Sequence, residues 1–591
     1  MMHSPARRVR LQLGFGHGRA FLQAWHDWQL DPVRAARLDV VAIDPAPPDA
    51  AALRQAHRGG TLQPLAEALA AQWPPLSRNL HRLSFEGGRV RLLLAVGEPL
   101  AMLPQLQAQV DDILIDEFVM SADPQRAALR LSKGLARLAA PGAELHAAPA
   151  LQALRPALVS AGFDIQPAST GLRARYRPQF VPRRRGTATL PGGEAHALIV
   201  GAGLAGCATA WALADQGWQS TVIERAEAPA LQGSGNPAGL FHGIVNPQDG
   251  AHARFNRAAA LLAQRTMQQA IAAGAVRGSA QGLLRLDTRS GAVETMRAEL
   301  AALQLPAGYV QALSAAEAGA LCGLPLPHPA WYYPGGGWVQ PAALARHFLQ
   351  LAGPAASLRV GLKVQSLRHA GGLWQLLDAA GQSLAEAATV VLANAADAPR
   401  LLQTPHWPLQ TVRGQISLYR PADGGTALRL PAMPLAGAGY LLPDVDGLAV
   451  FGASSHPGDA DAGVRDTDHA YNLQRLARLS PASLPPAGLQ PAQLQGRIGW
   501  RCTADDRLPL VGAVPDEAAG RDGRFERVED WPRQPGLHVF TGLGSRGISW
   551  AELGAQVLAA RISGAPVPLE ASLVDALDPA RFALRLGRLR R

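Results

Sequence analysis

Two hydrophobic rhythms alternate along the chain. Apolar-rich runs at residues 9–13, 38–43, 90–96, 198–200 and 389–392 suit strands buried in α/β sheets, and the denser ones read as buried on both faces. After the first of them, Phe21, Leu22, Trp25 and Trp28 return at helical spacing. After 198–200 comes an Ala- and Leu-rich helical stretch, then a second strand that ends at Glu224. Strand, turn, helix and strand thus occur twice, and this order predicts parallel α/β sheets. Residues 254–273 read as another helix, and 367–377 as a hairpin about Gly371-Gly372.

Glycines fill the turn in both units. Gly201, Gly203 and Gly206 form G-x-G-x-x-G, in which one glycine permits the tight turn, one admits a pyrophosphate to the backbone, and one packs helix on strand. The helix N-terminus offers free N–H groups to phosphate. Glu224, closing the next strand, is placed to take ribose hydroxyls. A membrane span is the competing reading of residues 197–214, apolar except for Thr209, but three glycines in its first half argue against it. The earlier turn differs: Gly14, Gly16 and Gly18 form G-x-G-x-G before a strand ending at Asp44, the common arrangement for S-adenosylmethionine. Glu98, after the run 90–96, is placed for the adenine amino group, and Asp116 ends a further strand at 111–116. A Rossmann domain kept only for its structure is the alternative.

Composition narrows the classes without choosing among them. The 591 residues exceed one core and suggest two to four domains, and 48% hydrophobic against 17% charged residues describes a globular protein. Cys207, Cys322 and Cys502 form no C-x-x-C pair, so neither a disulfide framework nor a zinc site is expected. His242 and His252 match no common metal spacing. No apolar h-region precedes the first glycines, and a reducing cytoplasm is expected. The formal charge of +10 rests almost wholly on arginine, since Lys133 and Lys363 are the only lysines. That fits either a phosphate-rich partner or a compositional bias. Residues 173–185, RARYRPQFVPRRR, are a basic linker or a contact in which Tyr176 and Phe180 stack on RNA bases.

The later motifs decide between these readings. GSGNPAG at 233–239 supplies Ser234 and Asn236 beside the cofactor phosphates; the aromatics of Trp331 to Trp338, followed by Arg413-Gly414-Gln415 and Gly439-Tyr440, line either a core or an apolar cleft. GWRCT at 499–503 brings Arg501, a candidate for a substrate carboxylate. Gly542, Gly544, Ser545, Arg546, Gly547 and Ile548 form a turn that aims N–H groups at an electron-rich ring.

Taken together, GFGHGRAF, IDEF, GSGNPAGL, YYPGGGWVQPAAL, RGQIS, GWRCTADDRLPLVGAVPD and GLGSRGIS resemble the bifunctional enzyme family that completes 5-methylaminomethyl-2-thiouridine at the wobble position of bacterial tRNA. The resemblance spans nearly the whole chain. It implies a SAM-dependent methyltransferase-like domain at 1–178, a basic linker at 179–195 and an FAD-dependent oxidoreductase domain at 196–591. The fold class expected is α/β plus α+β: a Rossmann-like methyltransferase domain, then an FAD-binding Rossmann domain with an inserted mixed-sheet substrate domain of the glycine and D-amino-acid oxidase type. Dinucleotide-binding parts fall at about 196–260, 385–400 and 496–570. The cofactors implied are FAD and S-adenosylmethionine, and the partner is tRNA, with no DNA, no membrane, no metal and a monomeric chain. Arg501 would anchor a carboxymethyl carboxylate, and Asp116 would lie near the methyl-accepting nitrogen. Arg19-Ala20 replaces Leu-Asn of the family, Gln12 replaces an acid, and Glu117 and Met120 replace Gly and Pro, so the acceptor loop is expected to be reshaped. The other activities that fit are oxidation alone, with a degenerate methyltransferase domain, and oxidation of small amines such as glycine or sarcosine. Outside catalysis, the N-terminal and basic segments could be an RNA-binding module.

Overall fold

The structure, a computed structural model, describes residues 6–116, 123–180, 195–289, 292–403, 407–421, 427–486, 488–520 and 523–589. The altered acceptor loop, with Glu117 and Met120, and most of the basic linker lie outside the described residues. The chain forms two compact units: residues 1–187 with 560–574, and residues 188–559 with 575–591.

In the first unit eight strands lie side by side in the order Leu80–Phe85, Val90–Val96, Leu38–Asp44, Arg8–Leu13, Val110–Ile115, Ala139–Ala147, Leu172–Tyr176, Phe163–Gln166. The five from Val90–Val96 to Ala139–Ala147 run parallel, and the edges are antiparallel. Such a sheet is covered by helices on both faces, which explains its near-continuous apolar strands. Within Leu38–Asp44, Val41 and Ile43 join the core that holds Leu131 and Leu135, while Val40 and Ala42 join the opposite core with Phe21, Trp25 and Trp28. Chain order reverses at Arg8–Leu13, flanked by Leu38–Asp44 and Val110–Ile115, and ligands bind open α/β sheets at such a switch point. The late segment 560–574 completes this unit. Val567 N donates to Gln107 O at 2.9 Å, and Asn79 Nδ2 to the buried Glu570 carboxylate at 3.3 Å.

The second unit has a parallel sheet in the order Ala356–Arg359, Gln219–Ile223, His196–Val200, Thr389–Leu392, Arg533–Thr541, with Leu510–Pro515 antiparallel at the edge. The helix Leu204–Asp215 that follows the glycine turn is buried on nearly every face. Its Trp211 stacks on Phe348 of the helix Pro341–Ala352, with ring centroids 5.3 Å apart. A helix apolar all round is thus a core helix here; no helix among the described residues is long and apolar enough to cross a membrane. The hairpin about Gly371 and Gly372 joins Ser366–Ala370 to Leu373–Leu377, both glycines having positive φ. Two three-stranded sheets and a separate nine-stranded sheet accompany it, and within the last Leu409–Tyr419 pairs along its length with Gln495–Ala504. Gln495–Ala504 therefore lies in the mixed sheet, outside the parallel one.

Candidate functional site

The second glycine turn is closed by its own acid. Glu224, buried at its strand end, accepts from Ala202 N at 2.7 Å and Ala226 N at 2.9 Å. Gly201 has φ 101°, and a Cβ on Gly206 would overlap the Gly201 carbonyl oxygen, so helix and turn approach as only glycine allows. Ser234 Oγ accepts from Leu204 N at 3.2 Å, which brings the GSGNPAG loop to the first turn of that helix. Asn236 Oδ1 in the same loop accepts from Arg497 at 2.6 Å. The remaining first-turn N–H groups are those that a helix leaves open at its N-terminus, the kind that bind phosphate.

Strand Gln495–Ala504 then carries the candidate anchor. Arg501 Nη2 donates to Ser454 O at 2.9 Å, and the side chain has no acidic partner among the described residues. Its guanidinium lies over the backbone of Gly414, where a Cβ would meet it at 2.6 Å. Burial lowers its pKa, and the neighbouring Tyr440 hydroxyl, itself held protonated by burial, is the one group that opposes the shift. Arg413 of the RGQ motif is fully buried and points away, into a fixed network: to Asp468 at 2.6 Å, Asp461 O at 2.7 Å and Gly463 O at 2.6 Å. Gln415 exchanges backbone bonds with Ser454, donating to its Oγ at 3.0 Å and accepting from its N–H at 3.0 Å. The motif thus holds the carbonyl that holds Arg501.

The GLGSRGI turn is stitched to the same strand: Gly544 N donates to Cys502 O at 2.8 Å, and Leu543 bridges Thr503. Gly542 and Gly544 have positive φ, Ser545 is exposed, and Gly547 opens the helix Gly547–Ser563 with Ile548 buried behind it. Arg546 turns inward, to within 3.3 Å of His242 Nε2. No spacing rule flags His242, and Arg285 sits on the strand Leu283–Leu286 without any motif around it. Both were missed from sequence.

In the first unit the predicted residues converge at one edge. Gly14 N donates to Ile43 O, Gly97 N to Asp44 O and Asp116 N to Leu13 O, so Gly14, Asp44, Glu98 and Asp116 all leave the C-terminal ends of adjacent parallel strands. Asp44 accepts from Phe15 N at 2.8 Å and Gly16 N at 3.1 Å through one oxygen. Gly16 has φ 51°, and a Cβ added there would find nothing within 4 Å, so the turn faces open space; Gly18, at φ 76°, packs against Phe15. Glu98 is exposed beside the turn. The buried Gln12 donates to Gly14 O at 2.8 Å and to Asp116 at 3.4 Å, tying the exposed carboxylate to the glycine turn.

A family model of FAD dependent oxidoreductases matches residues 196–561, and one of S-adenosyl-L-methionine-dependent methyltransferases matches 61–176, beginning after the first glycine turn. Among solved structures, L-proline dehydrogenase from P. horikoshii superposes with a TM-score of 0.51 over 67% of this chain and 98% of that one, at 16% identity, a likeness of fold. A tRNA 5-methylaminomethyl-2-thiouridine biosynthesis bifunctional protein of Methylibium petroleiphilum is 46% identical over 98% of this chain and 90% of its own length. The corresponding protein of Burkholderia thailandensis is 41% identical over 98% and 91%. With two cofactor folds, FAD for one and S-adenosylmethionine for the other, and this identity across both, the chain belongs to the family of tRNA 5-methylaminomethyl-2-thiouridine biosynthesis bifunctional proteins.

Proposed function

We propose that the second unit converts the carboxymethylaminomethyl group of a wobble (2-thio)uridine in tRNA to aminomethyl, and that the first unit methylates the amine so exposed. The relatives carry the name of that product, and the observation that carries the reading to residues is Arg501, half-buried, without an acid and beside a protonated Tyr440. One Arg501 N–H group is taken by Ser454 O, and the others remain to grip a carboxylate. Tyr440 adds a hydroxyl donor. The Arg413–Asp468 network keeps Ser454, and through it Arg501, in place while the substrate binds.

Bound FAD would supply a two-electron acceptor for the carboxymethyl N–CH2 group, and bound S-adenosylmethionine would supply the methyl group. Gly201, Gly203, Gly206, Glu224, Ser234, Asn236 and the turn from Gly542 to Ile548 would hold the FAD. Gly14, Gly16, Gly18, Asp44 and Glu98 would hold the S-adenosylmethionine. Asp116 stands at the switch point, where a carboxylate oriented by Gln12 can align the neutral amine and take up its proton. A tRNA substrate makes the enzyme cytoplasmic.

Incubating the FAD-loaded protein with tRNA that bears the carboxymethylaminomethyl group, followed by nucleoside analysis, tests the proposal. Aminomethyl nucleoside accumulates without S-adenosylmethionine and methylaminomethyl nucleoside with it. Turnover of free glycine in place of tRNA overturns the reading.

A further inference from the structure

The first unit carries a helix whose outer face has charge of one sign only. Pro124–Leu138 connects the parallel strands Val110–Ile115 and Ala139–Ala147, so it starts on the side of the sheet edge that bears Asp116 and runs back along the sheet. Its apolar side, with Ala127, Ala128, Leu131, Leu135 and Leu138, is buried in the core. Arg126, Arg130, Lys133 and Arg137 recur at helical spacing, which puts them on one stripe, and all of them are exposed. The stripe is about 16 Å long, the rise of three turns of helix.

No acid offsets the stripe. Asp123 caps the helix, accepting from Arg126 N at 3.0 Å, and beyond that cap the helix contains no acidic residue. The helical segments packed most closely against it, Pro99–Met102, Leu103–Gln105, Pro149–Leu154 and Arg155–Ser160, contain none either, and Arg155 adds another exposed cation. Asp111 and Asp112, at the far end of the preceding strand, are engaged by Val9 N at 2.8 Å and by Arg8 at 2.6 Å. Among the described residues the side chains of Arg126, Arg130 and Lys133 have no ion-pair partner. Arg137 is held in place by Leu103 O at 2.5 Å and Leu106 O at 2.9 Å. Like charges three and four residues apart work against a helix, and Arg126 in the first turn also opposes the helix dipole. An ordinary solvated face mixes its signs, whereas this one destabilises the helix that bears it.

We propose that Arg126, Arg130, Lys133 and Arg137 form a phosphate rail, which holds the backbone of the substrate RNA on the first unit. Cations spaced along one line match the regular negative charge of a nucleic-acid strand, and such contacts fix its position without reading its sequence. The rail starts on the side that bears Asp116 and leads away from it, so it holds the strand that flanks the modified nucleotide while the base itself reaches the pocket. A bilayer is the poorer fit, because the apolar face of the helix is already buried in the core and leaves nothing to insert. The choice of tRNA as the RNA rests on the proposed reaction; the stripe, its exposure and the lack of acids around it do not.

Binding of an unmodified tRNA transcript to the full-length, FAD-loaded protein, measured across a range of salt, tests the rail without any chemistry. In the triple variant Arg126→Gln, Arg130→Gln, Lys133→Gln, the slope of log Kd against log salt should fall by about 2 to 3, and Kd at about 0.1 M salt should rise roughly tenfold or more. The melting temperature should not drop, since removing like charges relieves the helix, and the Kd for S-adenosylmethionine should stay the same. For tRNA that already bears the aminomethyl group, KM of methylation should rise while kcat at saturation holds. An unchanged salt slope overturns the proposal. So does a lower melting temperature, which would make these cations part of the fold. Phosphatidylserine vesicles that lose binding in the variant while tRNA keeps it would assign the face to a membrane and overturn the proposal as well. If the transcript binds through the stripe yet neither nucleoside forms, it is the reaction that fails and the rail that stands.

Discussion

In the first unit Gly14, Gly16 and Gly18 all take positive φ, at 82°, 51° and 76°, whereas in the second only Gly201 does, and Gly206 lies within an ordinary helix. The first turn needs glycine for its dihedral angles and leaves space above it. The second needs glycine because backbone meets backbone, Gly206 against the Gly201 carbonyl and Gly201 against that of Ala393. Both are closed by a carboxylate at the end of the next strand, Asp44 on Phe15 and Gly16, Glu224 on Ala202 and Ala226. The same strand, turn, helix and acid can thus be built with different tolerances. A steric requirement is absolute at one atom, whereas a dihedral requirement is graded.

Gly206→Val should break the comparison most sharply, because no side chain can move aside for a branched Cβ. A loss of about 3 kcal/mol in the second unit is expected, read as a lower melting temperature and protein purified without flavin absorbance. Next comes Arg501→Met. It should cut kcat/KM for the carboxymethyl substrate on the order of 100-fold, about 2–3 kcal/mol of charge-assisted bonding. Flavin content should stay unchanged, and methylation of tRNA already bearing the aminomethyl group should proceed at its normal rate; equal oxidation rates in the two proteins would show another anchor. Asp44→Asn should raise the Kd for S-adenosylmethionine roughly tenfold by calorimetry, since one anionic acceptor for two turn N–H groups becomes a neutral one. The smallest effect belongs to Gly16→Ala, which meets only a dihedral penalty of about 1 kcal/mol. Its oxidase step should be untouched, and if its melting temperature falls as far as that of Gly206→Val, the contrast between the turns is wrong.

Much of the candidate site was readable before the fold. The glycines, Glu224, Asp44 and the run before Asp116 are local in sequence, because a strand, its turn and the next helix are contiguous pieces of one α/β unit. Arg501 was readable from its motif. Its orientation was not, since Ser454 and Tyr440 reach it from other strands of the mixed sheet. The RGQ motif stood out in the sequence as part of a core or an apolar cleft, and in the structure Arg413 is buried away from Arg501 and acts through Gln415 and Ser454. Gln12, noted only as a departure from an acid, proves to tie Asp116 to the first turn. The membrane-like stretch after Gly201 was ambiguous because periodicity cannot tell a helix buried in protein from one buried in lipid.

By itself, the sequence determined two α/β units, two glycine turns of different spacing, and a carboxylate at the end of each second strand. These follow from short-range rules on dihedral angles and apolar periodicity. Tertiary structure alone decided that 560–574 completes the first unit and that Arg546 meets His242 from 304 positions away. Such meetings depend on which strands become neighbours, and the burial that makes an unpaired charge informative exists only once the sheets have packed.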